Sequence, residues 1–381
     1  MITVRLGSHM YSLLRLLSIA GEFPSKSTGI FGDTRTIKAM IHKSEAAQKI
    51  RLSNGDILET KLFQLSGKWH SRTIRLYKNA LPVLNEVHSD ALDYYLSVFP
   101  DNRFSGNQLN IQRNHRVGEA IAMCMMAGIE TAPYMLPELQ KETIRSVVPK
   151  KTSYYVSRNI KNISETEMNK TMFTRVVGLL FYPGGSYAVY NTRNAVMKWS
   201  GLGERKAKLE LSEIVRMNAG PYDVTSALLF GTDENIALQT VIESDANRKK
   251  QFRSKGDRFD EIYQSVHFVP LDQNGIDMLK ILTLPDWHEK LMSVLFPSDI
   301  RLKGYSSFEY DASRDNKYYY SHLDGDIARL MRFHGAYMMY KFTCEALCFP
   351  WQAQFLQGYF GESVKLIQIN MQRTLNALKI E

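Results

Sequence analysis

Glu204-Arg205-Lys206 is a Glu-x-Lys tripeptide of the kind that metal-dependent nucleases use. In such centres carboxylates hold Mg²⁺ and the lysine steadies the charge that develops on the phosphorane. That chemistry needs the tripeptide on a strand, whereas Leu202–Asn218 has the pattern of a helix, so a solvated helical face explains the same residues. A second acidic group is Asp324-Gly325-Asp326, with Asp311 and Asp315 upstream. It would bind a divalent ion if a hairpin folded over the following helix start, and turn and N-cap roles account for it without metal. Glu204, Lys206, Asp324 and Asp326 are therefore the weak catalytic candidates, with Mg²⁺ required only in that alternative and no other cofactor or metal expected. Nucleophilic tyrosine chemistry is open to Tyr187 and Tyr190, which lie near Arg193 and Lys198, but tyrosine is abundant in this chain.

Other chemistries are excluded more firmly. No GxxxxGK(S/T) loop is present, and Gly184-Gly185 lacks the spacing of a dinucleotide fingerprint, so ATP-driven work by this chain is not expected. The nine histidines are scattered, which rules out a histidine-clustered relaxase centre. Cys124, Cys344 and Cys348 lack further ligands at zinc spacing and read as reduced, buried thiols.

Charge placement says more than the net charge of +9. Residues 1–80 hold thirteen Lys or Arg against five acids, leaving the other three hundred close to neutral. A polyanion partner should therefore meet the N-terminal segment.

The elements of that segment fit such a partner. Met10–Ala20 carries a helical stripe of Leu13, Leu14, Leu16, Leu17 and Ile19, ended by Gly21 and Pro24. Ser25–Phe31 reads as a short helical turn, Gly32-Asp33-Thr34 as a turn and N-cap, and Arg35–Ala47 as a third helix with Ile37, Met40 and Ile41 inward. Two strand-like runs, Lys49–Leu52 and Leu58–Leu65, meet at Asn54-Gly55-Asp56, a strong hairpin signal. Arg72–Tyr77 adds a strand that leads into a helix over Asn79–Leu84. Three helices with a basic last one and a basic hairpin form the grammar of a winged helix-turn-helix that binds double-stranded DNA. The expected DNA contacts are Arg35, Lys38, His42 and Lys43 on the third helix, with Lys49, Arg51, Lys61, Arg72 and Arg75 on and beside the wing. A solvated basic face, or a wing that docks protein, remains open from these residues alone.

Beyond this segment Ile111–Gly128 reads as a helix with Val117, Ile121, Met125 and Met126 inward. Strands at Ser153–Ser157, Ser186–Asn191, Val224–Phe230 and Ser265–Pro270 alternate with helices at Leu202–Asn218 and Glu234–Glu243, and Lys249–Arg258 reads as a basic loop. The last eighty residues continue the alternation, with a hairpin from Phe308–Ala312 and Tyr318–Ser321, a helix at Gly325–His334, a strand at Glu345–Phe349, a helix at Trp351–Phe360 and a strand at Val364–Ile369. No internal repeat is visible. The expected fold class is α+β and multidomain: a winged helix-turn-helix over 1–100, a helical connector over 101–150, a mixed α/β domain over 151–300 and a C-terminal α/β subdomain over 301–381.

Arg75-Leu76-Tyr77 at the strand-to-helix exit, then Asn114-His115-Arg116-Val117 and Glu119-Ala120-Ile121-Ala122 in the next helix, resemble the replication-relaxation family of bacterial plasmids and conjugative elements. The resemblance covers residues 10–145, and the rest only in outline. Members often carry Pro-Asp followed by Glu-x-Asp after the connector helix. This chain has Pro149-Lys150-Lys151 and a strand with Arg158 there instead. The resemblance implies a DNA-binding accessory or initiator factor in replication or transfer and does not establish strand cleavage; a binding protein is the expected reading, with a metal-dependent DNA-nicking enzyme, a restriction-enzyme-like nuclease or relaxase, as the alternative. Its implied partners are double-stranded DNA and other replication or transfer proteins, with a homodimer left open. No run is apolar enough to span a bilayer and no export signal precedes the first helix, so a cytoplasmic location without membrane partners is expected. Gly7-Ser8-His9-Met10 matches a cloning scar, which leaves residues 1–9 open between vector and native origin.

Overall fold

A computed structural model describes residues 4, 7–52, 55–68, 72–87, 89–104, 106–131, 152–163, 175–197, 202–219, 223–250, 259–302 and 308–380. Pro149-Lys150-Lys151, Lys198, Asn54 and most of the basic stretch 249–258 lie outside them. The chain is a mixed α/β protein.

Helix α1 (His9–Ala20) starts where the Ser8 hydroxyl accepts from the Tyr11 N–H, and stops at Gly21, whose φ of 72° suits glycine. Strand β1 (Glu22–Pro24) and a 3₁₀ turn (Ser25–Phe31) follow, then α2 (Thr34–Ser44), capped by the Asp33 carboxylate on the Thr36 N–H at 2.8 Å. Helix α2 ends three residues short of its expected limit, because Gln48 already begins β2 (Gln48–Arg51), which forms a hairpin with β3 (Ile57–Thr60). The run 58–65 is not one strand. It breaks at Lys61-Leu62, where the Leu62 N–H donates to Ser44 and its carbonyl accepts from Tyr77, and β4 (Phe63–Ser66) enters a different sheet. There it pairs with β5 (Thr73–Leu76), which lies centrally in the order β1-β5-β4.

Helices α3 (Leu81–Val87) and α4 (Ser89–Val98) lead to α5 (Gln108–Met126). The expected stripe on α5 is replaced by burial all round, from Gly118 through Cys124. Over that span the helix has neighbours on every side and no solvent face to keep polar. On one side it crosses α1 and β1 so closely that a Cβ at Gly118 would stand 2.9 Å from the Glu22 carbonyl oxygen. On the other it lies on a five-stranded sheet, so it is a shared core element and not a spacer.

That sheet comprises β6 (Ser153–Val156), followed by α6 (Ser157–Ile163), then β7 (Val176–Tyr182), β8 (Gly185–Arg193), α7 (Leu202–Ala219), β9 (Ser226–Gly231), α8 (Glu234–Lys250), α9 (Phe259–Ile262) and β10 (Ser265–Pro270). The order is β10-β9-β8-β7-β6, antiparallel from β6 to β8 and parallel from β8 to β10. Leu180, Val189 and Leu228 join the core around α1 and α5, whereas Leu179, Ala188 and Leu229 join one with α7, α8 and a later helix. Burial on both faces makes β7 a continuous apolar run without alternation.

After α10 (Gln273–Leu282) and α11 (Trp287–Leu295) come β11 (Ala312–Arg314), β12 (Lys317–Ser321), α12 (Ile327–Tyr340), β13 (Thr343–Cys348), α13 (Ala353–Phe360), β14 (Lys365–Gln368) and α14 (Met371–Ala377). The second sheet runs β11-β12-β13-β14. Its path, a hairpin and then helix, strand, helix, strand, is the path of β7 through β10. The two units share a topology that leaves no repeat in the sequence. They are joined where Asp324–Asp326 docks on the free edge of β10: the Phe268 N–H donates to the Gly325 carbonyl at 2.9 Å and the Val266 N–H to Asp326 Oδ1 at 3.0 Å. Gly325 has φ 65°, and a Cβ there would stand 2.6 Å from the Phe268 carbonyl oxygen. Among the described residues no helix is long and apolar enough to cross a membrane.

Candidate functional site

Helix α2 buries Ile37, Ile41 and Ser44 and turns Arg35, Lys38, His42 and Lys43 to solvent. Lys49 and Arg51 on β2, Lys61 beyond β3 and Arg72 before β5 are also exposed. The acids of this region are largely engaged. Asp33 caps α2, its carboxyl held below the usual range by the Thr36 N–H and hydroxyl, and Glu45 pairs with His42 Nδ1 at 3.1 Å. Lys49 faces Glu59 across the hairpin. The result is a basic surface on consecutive elements, positioned by the α1 and β5 core beneath it.

Arg75 does not belong to that surface. Its Nε donates to Glu22 Oε1 at 2.6 Å, its guanidinium lies 4.7 Å from the Phe104 ring centroid, and Glu22 has no exposed area. Asn114 Nδ2 of α5 donates to the other Glu22 oxygen at 2.7 Å. A buried carboxylate needs such partners. His115 is likewise internal, bonded to the Thr73 hydroxyl at 2.8 Å, and burial, with Arg193 and Lys26 adding, drives its pKa down to about 3.

The nuclease alternative finds its residues apart. Glu204 is on α7, not a strand, and is buried beside Tyr190 and Arg175, whereas Lys206 points to solvent. Burial pushes the Glu204 carboxyl up. Tyr187 and Tyr190 are core residues: the first donates to the Leu282 carbonyl at 3.0 Å and the second bonds Tyr263 at 2.8 Å, and burial raises both phenols.

Asp324 and Asp326 are neither solvated nor idle. They border a cavity of about 770 Å³ between the two units, with His267, His288, Asp311 and Arg329. Asp326 caps α12, accepting from the Ala328 and Arg329 N–H groups. Against the cost of burial, the nearby His267 and the donating N–H groups hold its carboxyl low, while burial raises that of Asp324. Arg329 bonds Asp311 directly and lies 3.7 Å from Asp324 Oδ2. Asp315, expected beside Asp311, is exposed at the β11–β12 turn. Asp311 and Asp324 thus answer one guanidinium, and among the described residues no group of three His, Cys, Asp or Glu side chains is arranged to hold a metal ion.

Sequence reasoning missed Arg329 and His267 here, and Glu234 at the end of β9. Burial, with Asp272 and Asp233 adding, pushes the Glu234 carboxyl up to about 8. A folded pKa above the ordinary 4.5 gives stability that is full below pH 4.5 and is lost as pH rises through about 8. Glu234→Gln is therefore expected to match the parent protein at pH 4.5 and exceed it by roughly 1–3 kcal/mol at pH 9, in urea unfolding at both values.

The three cysteines are free and buried, and burial lifts the Cys344 and Cys348 thiols to about 11.

Neither protein-family models, nor curated proteins, nor solved structures give a match to this chain.

Proposed function

We propose that the chain is a DNA-binding protein whose first hundred residues form a winged helix-turn-helix. In this reading the 3₁₀ turn Ser25–Phe31 and α2 are the helix-turn-helix pair, α2 enters the major groove, and the β2–β3 hairpin is the wing. The supporting observation is the set of exposed cations Arg35, Lys38, Lys43, Lys49, Arg51, Lys61 and Arg72 on these consecutive elements. Counterion release from phosphates supplies the affinity, and the first turn of α2 reads base edges. The resemblance of residues 10–145 to the replication-relaxation family supports an accessory or initiator role in replication or conjugative transfer of a bacterial mobile element, in the cytoplasm. Other replication or transfer proteins would be its protein partners.

Arg35, on the first turn of α2, tests the placement. Against a site selected from a random duplex library, Arg35→Ala is expected to lose about 1–3 kcal/mol, and much less on unselected DNA. Lys61→Ala should weaken both alike. Competition binding measures the difference, and equal losses for Arg35→Ala on the two DNAs would put the wrong helix in the groove.

A further inference from the structure

Four cations converge where α5 and the 3₁₀ turn cover the carboxyl end of β8. Arg193 closes β8 with φ 57° and is 8% exposed. Its Nε lies 3.2 Å from Glu119 Oε2, yet no acceptor among the described residues bonds its Nε or Nη2. Arg116 Nε and Arg175 Nη1 are also buried donors without an acceptor among those residues. Lys26 stands at the exposed rim, its ammonium pKa lowered by burial and then by Arg193.

The carboxylates present do not balance these charges. Glu119 is 1% exposed and already accepts from Ser27 Oγ at 2.5 Å and Asn191 Nδ2 at 3.0 Å. Glu204 stands 3.8 Å from Arg175, and burial favours its neutral form. A buried guanidinium N–H left unmade costs about 1–3 kcal/mol or more, so several in one place call for an anion that completes them. The location agrees, because open α/β sheets bind their ligands outside the carboxyl ends of parallel strands. Guanidinium forks match the oxygens of a phosphoryl group in pairs, as a lysine point charge at the rim does not.

We propose that Arg193, Arg116, Arg175 and Lys26 form a binding site for a phosphoryl anion at the carboxyl end of β8, entered past Lys26. The site is separate from the α2 surface and does not depend on how that surface meets DNA. Its phosphoryl group comes either from a free nucleotide or from a nucleic-acid backbone.

Titration of the full chain with inorganic phosphate at constant ionic strength, followed by calorimetry and by ³¹P line broadening, tests it. Saturable binding is expected, weakened at least fivefold by Arg116→Gln and by Lys26→Gln, whose side chains are accessible enough for the fold to survive, and abolished by Arg193→Gln. Circular dichroism verifies folding, and Arg35→Ala should leave phosphate binding unchanged. Displacement of phosphate by deoxyadenosine monophosphate but not by a short duplex assigns a nucleotide, and displacement by the duplex in the Arg35→Ala background assigns the backbone. Absence of saturable phosphate binding, or an unchanged dissociation constant in folded Arg116→Gln and Lys26→Gln, overturns the proposal.

Discussion

Replacing Lys38, Lys43, Arg51 and Lys61 together by alanine is expected to lower the affinity for duplex DNA by three to four orders of magnitude at 0.1 M salt, if each neutralises a phosphate. The size follows from about 0.9 counterion released per phosphate contact, so that four lost contacts flatten the log–log salt slope by about 3.6. All four side chains are exposed, and none is placed in a buried ion pair, so the fold should be unaffected. Binding isotherms between 0.05 and roughly 0.3 M salt give the slope. An unchanged slope in the folded variant would mean that this face does not meet the phosphates.

Arg329→Met should destabilise the protein by about 3–5 kcal/mol near neutral pH, because it strips the counter-charge from the buried carboxylates Asp311 and Asp324. The loss should depend on pH with a definite sign. Burial already raises the Asp324 pKa and Arg329 opposes that rise, so without the guanidinium the folded-state value climbs further above the unfolded one. Stability contributed by the protonated form is present below the unfolded carboxylate range and lost as pH rises through the folded pKa. Urea unfolding near pH 4.5 and pH 8 should therefore show the smaller deficit at the lower pH. Equal deficits, or one below about 1 kcal/mol, would contradict the role given to Arg329.

What could be read from the sequence was what is decided locally. The stop at Gly21, the Asp33 cap and the turn at Gly55 each follow from a few adjacent residues, and the structure places them as expected. Most strands of the two sheets were legible for the same reason, but β7 was not, since its apolar run has no period to distinguish it from a buried helix. Charge counting could separate the basic N-terminal segment from the rest, yet it could not tell that Arg75 turns inward. Its partner Glu22 is 53 residues away and meets it only through the pairing of β1 with β5. Glu204 was misplaced in the same way: burial by a neighbouring element converts a plausible surface charge into an internal one. The i, i+3 pair Arg116 and Glu119 on α5 was a signal for the cluster at β8, because Glu119 stands at the start of the buried run Gly118–Cys124, where a carboxylate needs a partner.

Helix α5 is also a constraint on how the protein is made. Residues 10–100 leave the ribosome with the sides of Ala20 and Phe23 that face α5 uncovered and the Glu22 carboxylate without Asn114, because all three wait for a helix still being translated. The far side of α5 in turn is covered only once β7 to β9 have been added. Synthesis therefore passes through a stage in which apolar surface is held open for a hundred residues or so, the stage at which chaperones act and aggregation begins. A gene fragment cut near residue 100 freezes the chain at that stage, and one cut just beyond α5 exposes instead the face of α5 that the sheet covers.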